Sequence, residues 1–131
     1  MSSDTREIRE LLDRYATALQ TADADLAASL YTPDGVFYPY NLPTATGTGE
    51  LRAAYRQIFD TIKLDVSFTV HEITVSGDVA VATTDSKGTV TVLAEQVTAE
   101  EANREVFVFF RADGAWRIAR YMFNKAAAPG A

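Results

Sequence analysis

The apolar residues of this 131-residue chain recur mainly with a helical period before Leu64 and with an alternating period after it. The first part therefore predicts helices, and the second predicts β-strands. Helices that precede a run of antiparallel strands are typical of the α+β class, with the helices packed on one face of a curved sheet. We expect one domain over residues 1–125 and a disordered tail over 126–131.

Three amphipathic segments predict the helices. The first covers residues 4–19, with Asp4 as the N-cap and Glu7 three positions later in a capping box. The second covers 23–31 and is capped by Asp23. The third runs from residue 50 to about 63.

The alternating segments predict the sheet. A turn at Thr32–Gly35 precedes a short aromatic strand. The buried parity changes near His71, which predicts a β-bulge there. An acidic segment over 94–102 predicts one helical turn. The predicted strands cover residues 36–40, 64–75, 79 to between 86 and 93, 104–111 and 116–124.

The register of the last hairpin depends on its turn. A two-residue turn at Asp113–Gly114 pairs Glu105 with Met122, whereas a three-residue loop with a glycine bulge pairs it with Tyr121. We favour the second arrangement. It places a carboxyl group and aromatic side chains on one face of the sheet: Glu105, Phe107, Ala119, Tyr121 and Phe123.

The composition excludes several classes of function. The formal net charge is −6 and the pI is about 4.7, which disfavours binding to nucleic acid. The chain has no cysteine and one histidine, so we expect no metal site and no thiol chemistry. No apolar run is long enough to span a bilayer, and we expect a soluble, cytoplasmic protein without a membrane partner.

Cofactor motifs are also missing. Gly47-Thr48-Gly49 precedes a helix, but Arg52 stands where a dinucleotide-binding loop needs its third glycine. We therefore predict a plain loop and helix start here rather than a phosphate site, and we expect no cofactor.

Four residues are candidates for catalysis. Tyr15 lies on the apolar face of the first helix, where its hydroxyl would point inward as a donor. Glu105 shares parity with Phe107, so burial would raise the pKa of its carboxyl group; the alternative is an ion pair with a nearby arginine, Arg104 or Arg120. His71 is the natural acid–base group, but a lone histidine in a strand is more often a packing residue. Asp85 lies either inside a pocket or at a solvated strand end beside Lys87.

Aromatic residues are concentrated in a few segments, and six tyrosines are many for one small core. Because each buried hydroxyl needs a partner, we expect some of them to line a ligand cavity. The predicted pocket residues are Phe37, Tyr38, Tyr55, Phe59, Phe107, Ala119, Tyr121 and Phe123.

Five segments, in this order and spacing, resemble the nuclear-transport-factor-two-like superfamily, and within it the SnoaL-like relatives of ketosteroid isomerase. They are Leu11–Ala16, Ala22–Asp25, Leu30–Phe37, Gly49–Tyr55 and Asp113–Tyr121. The resemblance implies a cone of three helices on a strongly bent sheet, an apolar pocket, and frequently a homodimer through the convex sheet face.

The resemblance also implies roles for particular residues. Tyr15 falls on the position of the oxyanion donor of ketosteroid isomerases. Glu105 falls near the position of a second acid, which in ketosteroid isomerase stays protonated and donates a hydrogen bond. The family's general-base aspartate is replaced by Tyr38, which is a poor base at neutral pH.

These expectations lead to two hypotheses. The first is an enzyme that binds a hydrophobic, carbonyl-bearing molecule of polyketide type and performs cyclase- or isomerase-like proton transfer, with His71, Asp85 or the substrate as the base. The second is a non-catalytic ligand-binding or dimeric accessory protein of a biosynthetic pathway.

Overall fold

The computed structural model describes residues 3–126, so the prediction of a disordered tail falls almost entirely outside the described residues. The fold is α+β, as predicted, with three helices packed on a six-stranded curved sheet. The elements are α1 (Ser3–Gln20), α2 (Ala24–Ser29), β1 (Tyr31–Tyr38), β2 (Ala45–Thr46), α3 (Gly47–Thr61), β3 (Ile62–Ser76), β4 (Val79–Val92), β5 (Val97–Ala112) and β6 (Ala115–Lys125). No helix within residues 3–126 is both long and apolar enough to cross a membrane.

The helices form where the apolar spacing predicts them, but their ends differ. Asp23 caps α2 as expected and accepts a hydrogen bond from the Leu26 backbone N–H at 2.9 Å. Asp4 lies in the first turn of α1 and not before it. Its carboxylate accepts hydrogen bonds from Arg111 Nη1 at 2.6 Å and Trp116 Nε1 at 3.0 Å. Asp4 therefore attaches α1 to the last two strands.

The sheet has the strand order β2-β1-β6-β5-β4-β3, and β1 pairs with β6 in parallel. β1 begins at Tyr31, so the predicted turn at 32–35 lies within this strand, and the second helix stops two residues earlier than predicted. The pairing shifts between Tyr31 and Val36, which shows that the turn-forming residues bulge out of the ladder instead of ending it.

The predicted bulge in β3 is confirmed. Val70 pairs with Thr84 and Glu72 pairs with Thr83, so His71 is the extra residue. The bulge changes the parity of β3 and bends the sheet locally.

The helical turn predicted over 94–102 is wrong. β4 continues to Val92, and β5 begins at Val97 directly opposite it. This long hairpin gives residues 97–102 a partner strand, and the ladder hydrogen bonds satisfy their backbone groups better than one isolated turn of helix would.

Both predicted registers of the last hairpin are wrong, although the face assignment is right for Glu105, Phe107, Tyr121 and Phe123. The turn is the two-residue Asp113–Gly114 type, with positive φ at both positions. The register then shifts between Val108 and Phe109, where Ala119 is the extra residue of β6. Glu105 therefore pairs with Phe123.

The core lies between the helices and the concave face of the sheet. β5 and β6 contribute Phe107, Phe109 and Ile118, which are all fully buried. α1 contributes Ile8 and Leu11 against them. None of the helices within residues 3–126 packs on the opposite, convex face of the sheet, which is exposed.

We predict that Gly88→Ala destabilises the fold by roughly 2–4 kcal/mol, because β3 passes directly over this glycine. An added Cβ would overlap the Asp65 carbonyl oxygen, and the φ of +156° is itself unfavourable for alanine. Urea unfolding measures the effect. The control is Gly77→Ala, which also has positive φ but has nothing within 4 Å of the added Cβ; it should cost only about 1 kcal/mol. Equal losses for the two variants would contradict the close approach at Gly88.

Candidate functional site

A cavity of about 190 Å³ lies between α1, α3 and the concave face of the sheet. Its wall is mainly apolar, with polar groups at two places. α1 and α3 contribute two tyrosine hydroxyls, from Tyr15 and Tyr55. β5 contributes Glu101, Asn103 and Glu105, and Lys125 of β6 lies beside Glu101.

The tyrosine hydroxyls form a buried hydrogen-bonded chain. The Tyr55 hydroxyl lies 2.6 Å from the Tyr15 hydroxyl and 2.7 Å from the Tyr31 hydroxyl. All three side chains are at most 3% exposed. The chain connects α1, α3 and β1, so each hydroxyl finds a partner that its own element cannot supply.

Burial raises the pKa of all three tyrosines in this chain. A buried phenolate would lose its hydration, so the hydroxyls stay protonated at neutral pH and keep their protons for hydrogen bonds.

Glu105 is a buried carboxyl group without a basic partner among its hydrogen bonds. Its side chain accepts hydrogen bonds from Thr84 Oγ1 and Ser86 Oγ, both at 2.6 Å. Burial raises the pKa of Glu105, and these two hydrogen bonds lower it by a smaller amount. The alternative of an ion pair with Arg104 or Arg120 is wrong, because these arginines donate to Asn124 and to the Ala119 carbonyl oxygen.

Glu101 and Lys125 form the charged part of the cavity wall. Lys125 Nζ lies 2.9 Å and 3.0 Å from the two carboxylate oxygens of Glu101. The ammonium group also lies 5.9 Å from the ring centre of Tyr40. Because Glu101 is neutralised by Lys125, Glu105 is the carboxyl group of this wall that is available to exchange a proton.

His71 and Asp85 lie outside the cavity. His71 Nε2 contacts Asp85 Oδ2 at 2.9 Å, and both side chains are about half exposed. They line a surface depression on the convex side with Val106 and Met122, and Glu105 also lines this depression. The structure therefore brings Tyr15 and Glu105 together in the cavity, while the other two catalytic candidates lie near Glu105 on the outer face of the sheet.

The predicted pocket aromatics divide into two groups. Phe37, Tyr55, Tyr121 and Phe123 line the cavity. The others do not: Phe59 and Phe107 pack behind the lining as core, Ala119 occupies the bulge of β6, and Tyr38 is half-buried outside the cavity.

Sequence reasoning missed several residues of the site. Tyr31 was assigned to the end of a helix, so its hydroxyl was not considered. The other missed residues point to the same side of the sheet as Glu105. Because side chains alternate between the two faces of a strand, this set follows from the sequence once the face of Glu105 is known: Thr84, Ser86, Glu101 and Asn103.

A family model described as a SnoaL-like domain matches residues 1–122. The chain belongs to the SnoaL-like domain family. The resemblance inferred from the sequence is thus confirmed.

Solved structures agree with this membership. A ketosteroid isomerase-like protein from Erwinia carotovora atroseptica is 29% identical, with a TM-score of 0.92 over 98% of this chain and 100% of that one. A conserved protein from Planctomyces limnophilus is 26% identical, with a TM-score of 0.82 over 95% and 98% of the two chains. A nuclear transport factor 2-like superfamily protein from Salmonella enterica has a TM-score of 0.83 at 22% identity, over 98% and 96% of the chains. No curated protein matches.

We predict that Glu105 makes this SnoaL-like domain less stable as pH rises. A raised native pKa means that the folded state binds the Glu105 proton more tightly than the unfolded chain does. The associated stability is fully present below the ordinary value of 4.5 and is lost as pH rises through the raised native pKa. Urea unfolding at a series of pH values should show a shallower loss in Glu105→Gln. Glu100→Gln, at an exposed position, should follow the unmodified protein; a matching slope in both variants would contradict the assignment.

Proposed function

We propose that this chain binds a small, mainly apolar molecule with a carbonyl group inside the cone and transfers protons on the carbon next to that carbonyl. Family membership supports a ligand cavity and isomerase-like chemistry in general terms. The proposal for this chain rests on the two polar groups that face one cavity, the Tyr15 hydroxyl and the Glu105 carboxyl group.

The observation that carries the proposal is the proton count of the tyrosine chain. Three hydroxyls joined in an open chain by two hydrogen bonds contain three protons, so one proton is not used within the chain. Either oxygen of each pair can be the donor. We propose that Tyr31 donates to Tyr55 and Tyr55 donates to Tyr15, because this direction leaves the free proton on Tyr15, the terminal hydroxyl of the chain whose residue lines the cavity. Tyr15 then donates to the carbonyl oxygen of a ligand, and its hydrogen-bond donors stabilise the charge that it receives.

Glu105 is the group that we propose to move the proton. As a carboxylate it removes a proton from the carbon next to the carbonyl, and the electron pair moves to the oxygen held by Tyr15. The carboxylic acid then returns the proton to the same carbon or to a conjugated one, so the enzyme ends unchanged. A carboxyl group whose pKa is raised by burial is suited to both steps near neutral pH. This role replaces the earlier hypothesis of His71 or Asp85 as the base.

The cavity size limits the ligand. A volume of about 190 Å³ suits a molecule of one or two rings. A larger ligand could extend into a neighbouring groove of about 520 Å³ between α3 and the segment over 39–45. Leu42, Ile58 and Ile62 line both spaces, so the groove is adjacent to the cavity.

The test uses the bicyclic ketone 2-tetralone in D₂O, with exchange of its C1 protons followed by NMR. We predict that Tyr15→Phe lowers the enzyme-dependent exchange rate by about 10²–10³-fold. Ketone affinity should fall by no more than about tenfold, as expected for one hydrogen bond. Tyr38→Phe is the matched control, because Tyr38 lies outside the cavity.

Two results would contradict the enzyme proposal. If the unmodified protein binds 2-tetralone without accelerating exchange, the chain is a non-catalytic binding protein, which is the second hypothesis. If Tyr15→Phe and Tyr38→Phe exchange at the same rate as the unmodified protein, Tyr15 is not the donor.

We also propose that two copies of the chain associate through the convex face of the sheet. Exposed apolar side chains of β4, β5 and β6 are contiguous there, and they are 36–53% exposed: Val79, Val81, Val106, Phe110 and Met122. Such a patch is typical of an interface.

We predict that Val106→Glu converts a dimer to a monomer, because Val106 lies in the patch beside Met122 and a carboxylate there would lose its hydration on association. Light scattering during gel filtration at micromolar concentration measures the mass. Val97→Glu, an exposed valine at the far end of the β4–β5 hairpin, should leave the dimer intact. A monomeric unmodified protein would overturn this proposal.

A further inference from the structure

Three inward-facing side chains of β5 form a column of hydrogen-bond acceptors along the cavity. The three residues lie at every second position of the strand, so successive side chains on this face are about 7 Å apart. They are Glu101, Asn103 and Glu105. The tyrosine hydroxyls of the cavity come from other elements, α1 and α3. The column and the tyrosine hydroxyls therefore offer a ligand two different sets of hydrogen bonds.

Asn103 is the member of this column with an unused acceptor. Its side chain is 8% exposed, and no donor within residues 3–126 reaches its Oδ1 atom. Its Nδ2 group donates to Glu101 Oε2 at 3.1 Å and to Ser86 Oγ at 3.4 Å. A buried acceptor without a hydrogen bond is unfavourable, so a ligand that satisfies it gains affinity.

The orientation of the Asn103 amide is set by its neighbours. Glu101 is a carboxylate and can only accept hydrogen bonds. Ser86 uses its own proton in the hydrogen bond to Glu105, so it too can only accept from Asn103. Turning the amide over would place Oδ1 against two acceptors. The Oδ1 atom is therefore the one that has no hydrogen bond.

The charges on the column exclude anionic ligands. Glu101 and Glu105 are acids, and the one lysine that lines this cavity, Lys125, is already paired with Glu101. A ligand carboxylate or phosphate beside Asn103 would meet acceptors and no free cation. A neutral hydroxyl group has the donor that Asn103 needs without adding negative charge.

We propose that the ligand of this cavity is a neutral molecule with a hydroxyl group that donates to Asn103 Oδ1, in addition to the carbonyl held by Tyr15. This inference deepens the proposed function and rests on it for the position of the carbonyl. It makes Asn103 a residue that determines specificity for hydroxylated ligands, with no part in proton transfer.

Four probes of similar size distinguish the contribution of the carbonyl contact with Tyr15 from that of the hydroxyl contact with Asn103. Tetralin has neither group, 2-tetralone has the carbonyl, 5,6,7,8-tetrahydro-2-naphthol has the hydroxyl, and 6-hydroxy-2-tetralone has both. Dissociation constants are measured by NMR titration of the full chain. We expect the hydroxyl to increase affinity about fivefold to tenfold, both with and without the carbonyl.

The variant Asn103→Leu keeps the side-chain shape and removes the acceptor. We expect it to abolish the preference for the hydroxylated probes and to leave the affinity ratio of 2-tetralone to tetralin unchanged. Asn124→Leu is the matched control, because Asn124 lies next to Lys125 but on the exposed side of β6. It should keep the full preference.

The outcomes distinguish the two proposals. A hydroxyl preference that is absent, or that persists in Asn103→Leu, overturns the inference even if the carbonyl contributes as expected. A hydroxyl preference that requires Asn103, together with no effect of the carbonyl, supports the Asn103 contact and contradicts the role of Tyr15. Failure of all four probes to bind contradicts both.

Discussion

The need to satisfy buried tyrosine hydroxyls determines how the helices meet the sheet. Tyr15, Tyr55 and Tyr31 come from three different elements, and each hydroxyl is satisfied only where the three side chains converge. The Tyr55 ring stacks on Phe37, and the Tyr15 ring packs against Tyr121 and Phe107. A shift of α1 or α3 would leave a polar group unsatisfied inside an aromatic core, which costs far more than the hydrogen bond itself contributes.

Bulges in β1, β3 and β6 shape the sheet beneath this cluster. They differ in how well the sequence predicts them. The extra residue at His71 was predictable, because β3 alternates regularly on both sides and its apolar residues change parity. The apolar residues also change parity around Ala119, but the register was inferred from the turn alone. The favoured pairing of Glu105 with Tyr121 therefore differs by two positions from the observed pairing with Phe123, and the alternative with Met122 differs by one. Thr32–Gly35 has the composition of a turn, but tertiary pairing of β1 with β6 retains it within a strand.

The candidate site was predictable only in part, because the sequence indicates which face of a segment is buried but not which strands are neighbours. Tyr15 and Glu105 follow from local periodicity, because a helix stripe and a strand face are properties of one segment. The partners of these residues depend on which strands are neighbours. Thr84 and Ser86 approach Glu105 only because β4 pairs with β5 in this register. His71 and Asp85 are also brought together across a strand pair, but the bulge leaves them on the outer face.

The proposed chemistry of the cavity depends on the balance between the protonated and the charged form of Glu105. Burial raises the pKa of its carboxyl group, and the hydroxyls of Thr84 and Ser86 limit the increase because they donate to the charged form. An apolar ligand that fills the cavity removes further solvent from this carboxyl group and shifts the balance towards the protonated form. In the proposed reaction, ligand binding would therefore make the carboxylate a stronger base while Tyr15 holds the carbonyl oxygen. Because Tyr15, Asn103 and Glu105 line one cavity, a single ligand orientation would use all three contacts.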